Sequence, residues 1–139
     1  MTRLETELEE FLNSWTQDPH GNKAVFLQLR DYLAAKPGTK LGFKARPGIT
    51  YSLRAVHENQ KDKDLFVMVD VIDDDPTDKW ISVCFYGAMI TDPEEKGNFV
   101  PEGLLGEDAH CFDIEEPNEK DLAYVEARLD EAYQKASQS

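Results

Sequence analysis

Cysteine and histidine are scarce in this chain: Cys84 and Cys111, with His20, His57 and His110, are all it has. No C-x-x-C or H-x-x-x-H spacing joins them. A tetrahedral zinc site would therefore lack its third and fourth strong ligands, although Cys84, Cys111 and Asp113 read onto one strand face. Nucleophilic catalysis fares little better, because His110 and Cys111 are neighbours on a strand and so point to opposite faces. Positive charge is short too, with 15 Lys and Arg against 28 Asp and Glu and a formal net charge of −13. That balance argues against nucleic acid and anionic membrane surfaces as partners, since both reward positive potential. No run approaches the ~18 apolar residues of a membrane span. The N-terminus, "MTRLETELEEFLNSW", is acidic and amphipathic and has no basic leader, so the chain is expected to be cytoplasmic. In that setting the two cysteines are expected to be reduced, partly buried thiols. The segment "DDDPTD" lacks the glycine and distal carboxylate of a calcium loop, and "PGTKLGFK" and "PEGLLGED" do not follow a strand and open a helix as phosphate cradles do. No cofactor and no metal are expected.

What is present suits one folded domain over residues 1–139. At this length roughly two-thirds of the unfolded surface can be buried, and 40% apolar with 31% charged residues is an ordinary globular composition. The charge is unevenly distributed. Residues 23–63 carry nine Lys and Arg against three Asp and Glu, whereas residues 64–139 carry five against twenty.

Periodicity divides the chain into eight elements. Residues 2–16 form a helix, with Thr2 and Glu5 as a capping pair and Leu4, Leu8, Phe11, Leu12 and Trp15 on one stripe. A second helix, about 23–35, ends before Pro37-Gly38. The period then falls from 3.6 to 2. Residues 40–46 and 49–55 form a hairpin about Pro47-Gly48, followed by strands at 65–72, 80–86 and 109–115. A last helix starts at the N-cap Asn118 and runs to about 136. The order α-α-β-β-β-β-β-α, with short connections, predicts an α+β fold. In it a single five-stranded, mainly antiparallel sheet carries both N-terminal helices and the C-terminal helix on one face.

Alternation sorts the strand residues into two faces. Leu41, Phe43, Tyr51, Leu53, Leu65, Val67, Val69, Val71, Ile81, Val83, Phe85, Phe112 and Ile114 read as core. The other face collects Lys44, Arg46, Ser52, Arg54, Phe66, Met68, Asp70, Trp80, Ser82, Cys84, Tyr86, Cys111 and Asp113. Beside it lies the long stretch 87–108, which keeps Phe99, Leu104 and Leu105 among two prolines and several glycines. Two uses of this face stand side by side. It could hold a small acidic ligand or peptide, with Arg46 and Arg54 for charge, Trp80 and Tyr86 for stacking, and Phe99 in a lid. Alternatively the same aromatics pack beneath the loop or against a second copy, with Arg54 paired to Asp70 across strands. The leading expectation is a non-catalytic binding or accessory module; a homodimer through the same face is the alternative, and a cysteine-dependent enzyme ranks last.

The order of N-terminal helices, "GFKARPGITYSLRA", meander and closing "RLDEAYQKA" resembles uncharacterised bacterial domains of the YdhG-like kind. Shared features are Gly42-Phe43 and the terminal Glu131-Ala132-Tyr133. The resemblance implies a small antiparallel sheet packed against terminal helices and supplies no catalytic residue.

Overall fold

A computed structural model describes residues 2–139. Helices α1 (Arg3–Ser14) and α2 (Asn22–Ala34) precede strands β1 (Thr39–Arg46), β2 (Thr50–His57), β3 (Val67–Ile72) and β4 (Trp80–Tyr86). Strands β5 (Asn98–Leu104) and β6 (Glu107–Ile114) and helix α3 (Glu119–Ser137) complete the chain. The fold is α+β with one open antiparallel sheet, but the sheet has six strands, not five, in the order β1-β2-β3-β4-β6-β5. The extra strand comes from the stretch read as a loop. "NFVPEGL" shows no alternation because Pro101 and Gly103 interrupt it at a bulge, and a left-handed Glu102 lies between them.

Local chemistry sets the helix ends. The Thr2 hydroxyl accepts the Glu5 N–H and donates to the Glu5 carboxylate, and Asn118 Oδ1 accepts the Asp121 N–H at 2.8 Å. Gly21, at φ 81°, starts α2 without a side-chain cap; Asp18 instead accepts the N–H groups of Asn22 and Lys23. Asn22 is fully buried and donates Nδ2 to the carbonyls of Lys79 and Glu115, both at 3.0 Å. It thereby ties the start of α2 to the entrance of β4 and the exit of β6.

All three helices lie on one face. Leu8, Phe11 and Trp15 of the first, Phe26, Leu29 and Leu33 of the second, and Val125, Leu129 and Ala132 of α3 share a core with Leu53, Val69, Val71, Ile81, Val83 and Phe85. Entry into β3 corrects two face assignments. Phe66 lies in this main core at 0% exposure, and Leu65 joins a smaller cluster on the opposite face. Alternation begins only at Val67, so the two residues before it follow the incoming turn rather than the pleat. The second cluster also contains Met68, Cys84, Tyr86, Leu104, Ala109 and Cys111. Cys84 and Cys111 stand directly opposite each other on β4 and β6, Cα atoms 4.1 Å apart, and are joined as a disulfide. The expectation of two free thiols is thus corrected: β4 and β6 are direct neighbours, and their register brings the two Cβ atoms together on one face. Among the described residues, no helix is long and apolar enough to cross a membrane.

Candidate functional site

The sheet face turned away from the helices is ordered in rows. Lys44, Ser52, Asp70, Ser82 and Asp113 are successive cross-strand neighbours from β1 to β6. A parallel row runs Arg46, Thr50, Ile72, Trp80, and another runs Gly42, Arg54, Met68, Cys84, Cys111. Charge therefore changes sign across the face, from Lys40, Lys44, Arg46 and Arg54 on β1 and β2 to Asp113 and Glu107 on β6.

Of the residues expected at a ligand site, four share this face but do not converge. Arg46 and Trp80 lie in one row three strand spacings apart, about 14 Å. Arg54 is level with Cys84, so Trp80 is about 13 Å further along the strands and two strands across. Tyr86 ends β4, about 20 Å from Trp80. It is only 5% exposed, covered by the second cluster and by the Lys63 ammonium 4.9 Å above its ring. Lys63 also pairs with Glu107, closing that end of the face. Phe99 stands on the other side of the sheet, as the strand partner of His110, and is 63% exposed. Arg54 bonds through Nε to Ser52 Oγ at 3.2 Å rather than to Asp70, because its cross-strand neighbour is Met68. Burial pushes the Asp70 carboxyl above its ordinary value, opposed by the Ser52 hydroxyl and by the charges of Arg54 and Arg46.

The stretch 87–97 is not a lid over this face. A short 3-10 turn, Gly87–Met89, leads it to the helix side, where it becomes a strap between α3 and the last strands. Asp92 holds the strap. Its carboxylate accepts the Lys96 and Gly97 N–H groups at 3.0 and 2.9 Å, lies 2.7 Å from His110 Nε2, and accepts the Tyr124 hydroxyl. Burial alone would raise the Asp92 carboxyl, but the Tyr124 hydroxyl, the two N–H groups and His110 together hold it well below the carboxylate range. His110 thus faces away from Cys111, as neighbouring strand positions require. The sequence carried a signal for this clamp in "TDPEEKG", an Asp-Pro turn with a glycine five residues after the aspartate. Of the apolar residues in the stretch, Leu104 lies in the open-face cluster and Met89 packs against it, whereas Leu105 is 51% exposed.

A recess of about 410 Å³ lies where β4 begins and β6 ends, lined by Trp80, His20, Asp78, Asp113, Glu115 and Asp121 among others. It contains no lysine or arginine, so Trp80 faces carboxylates and not the arginines of β1 and β2. The recess suits cations better than anions. Compared with protein-family models, with curated proteins and with solved structures, the chain matches none.

Proposed function

We propose that this protein is a non-catalytic binding module that engages an acidic peptide segment over the basic half of its open sheet face. The observation that carries the reading is the placement of all three helices on one side, which leaves Lys40, Lys44, Arg46 and Arg54 together on the other. An extended occupant is favoured over a compact metabolite, because the arginines and Trp80 are too far apart for one small molecule to touch. Lys44 joins Arg46 and Arg54 as a contact, and Tyr86 serves the packing beneath the hairpin tip. The excess of carboxylates elsewhere disfavours nucleic acid. A cytoplasmic location is part of this proposal; there the Cys84–Cys111 bond would escape reduction only through its burial, the two cysteines being 7% and 5% exposed. The test is titration of labelled protein with a glutamate-rich peptide, followed by amide NMR. Arg54→Ala is expected to weaken binding about ten-fold while leaving the dispersion of the spectrum unchanged. An unchanged affinity would remove the proposal.

A second reading has its own support. Opposite charge lies at opposite ends of the open face, and a two-fold axis lying between two facing sheets, parallel to their strands, would set the basic half of one copy over the acidic half of another. The partner would then be a second copy of this chain, with sedimentation as the readout.

A further inference from the structure

The two edges of the sheet are not alike. At β5 the ladder is broken by Pro101 and the bulge between Val100 and Leu104, devices that keep another strand from adding. At β1 there is neither proline nor bulge: all eight residues, Thr39–Arg46, are in unbroken register with β2. The Glu58 N–H bonds to the Gly38 carbonyl at 2.9 Å, which makes the adjoining Thr39–His57 pair a non-hydrogen-bonded one. Counting on in alternation, Lys40, Gly42, Lys44 and Arg46 exchange their backbone bonds with β2. Leu41, Phe43 and Ala45 then direct their N–H and C=O groups outward, away from the sheet.

The surroundings of that edge suit one kind of occupant. On the helix side it borders a groove of about 540 Å³ between α1 and β1, lined by Phe11, Phe43, Ala45 and Tyr51 and, from α1, by Glu7 and Glu10, which admit apolar side chains there rather than acidic ones. On the open side the same strand presents Lys40, Lys44 and Arg46, all exposed, with Gly42 leaving space between them. A strand added to β1 would place alternate side chains over the groove and over the three cations. The cations oppose pairing of β1 with the β1 of another copy, because like charges would be brought close across the seam.

We propose that β1 is a strand-addition site for an extended peptide of alternating apolar and acidic residues. The peptide completes the ladder through Leu41, Phe43 and Ala45, seats its apolar side chains in the α1–β1 groove and pairs its carboxylates with Lys40, Lys44 and Arg46. This rests on the reading of the protein as a binder of acidic peptide and specifies its mode.

The probe is a blocked peptide as long as β1 that alternates glutamate with valine, compared with its counterpart carrying lysine for glutamate. Binding is read by fluorescence anisotropy and by hydrogen exchange of the β1 amides. The glutamate peptide is expected to bind and to slow exchange at Leu41, Phe43 and Ala45, and the lysine peptide to bind at least about ten-fold more weakly. Ala45→Pro removes one outward N–H without touching the β1–β2 ladder and is expected to abolish binding while β2 and β3 amides keep their protection. Lys44→Glu, which retains every backbone group, is expected to reverse the preference between the peptides. Binding unaffected by Ala45→Pro but lost in Arg54→Ala would overturn strand addition and leave the open-face reading standing. No binding of either peptide would overturn both.

Discussion

Asp92 shows how much of this fold can depend on one carboxylate. It accepts four hydrogen bonds from three directions: the strap's own backbone, Tyr124 of α3 and His110 of β6. Its folded pKa lies below the unfolded value of about 3.9, so the stabilisation is fully present above that pH and is lost as pH falls through the folded value. Asp92→Asn is therefore expected to cost about 1–2 kcal/mol at pH 7, since it removes a charge-assisted set while keeping its shape. The difference from the wild type should begin to shrink below about pH 4, where the carboxylate of the unfolded chain takes up a proton while the native one stays ionised. Paired urea unfolding series at pH 7 and at pH 3 check this, and the comparison cancels the charge effects common to both proteins. A constant difference across that range would assign Asp92 a purely steric role. Tyr32 is a second example: burial and its 2.7 Å bond to Asp130 push the phenol up to about 12.

At the scale of elements, the disulfide holds β4 to β6 across a separation of 27 residues. Replacing Cys84 and Cys111 together with alanine is expected to lower stability by about 3 kcal/mol, chiefly by loosening the unfolded chain, with the sheet register retained. Calorimetry with and without reductant measures it, and equal unfolding temperatures in both would refute it. Much at this scale was legible in the sequence. The capping pair at Thr2, the Asn118 cap and the Pro47-Gly48 turn all form as their residue types imply. The hairpin, β3 and β4 follow their alternation. What alternation could not reveal was β5, where a proline, a bulge and a left-handed residue interrupt the strand pattern. The inverted order of β5 and β6 was hidden as well, because no local signal says which of two late strands is inner. The faces of Leu65 and Phe66 differ from the alternation for a related reason: the pleat sets in two residues later than the run of apolar letters. For the candidate site, the basic residues were legible because they alternate. Their spread across the face was not, since distances depend on which strands are neighbours.

For the molecule as a whole, a charge of −13 is repulsive between copies, yet the open face has poles of both signs. Whether copies associate therefore depends on screening. If the face is self-complementary, sedimentation at low ionic strength is expected to give a dimer that dissociates as salt approaches 0.15 M, where the Debye length is about 8 Å. Arg54→Glu should weaken it further. A monomer at low salt would leave the open face to a foreign partner. The acidic recess at Trp80 adds to the negative pole and attracts counter-ions there, away from β1.

The strap has a consequence for the order in which the chain assembles. Strand β6 pairs with β4 although β5 precedes it, so β5 and β6 can join as a local hairpin and dock together through β6. The strap that spans them lies against His110 and Phe112, leaving no room for even a methyl group at Gly97. Helix α3 then closes over it, clasping Asp92 through Tyr124 and Thr91 through Glu131. Helix α3, synthesised after all six strands, is thus the latch of the structure. Until it arrives, the ring of Phe112 and the outer part of the main core are bare, and the nascent chain is most exposed to aggregation in that interval.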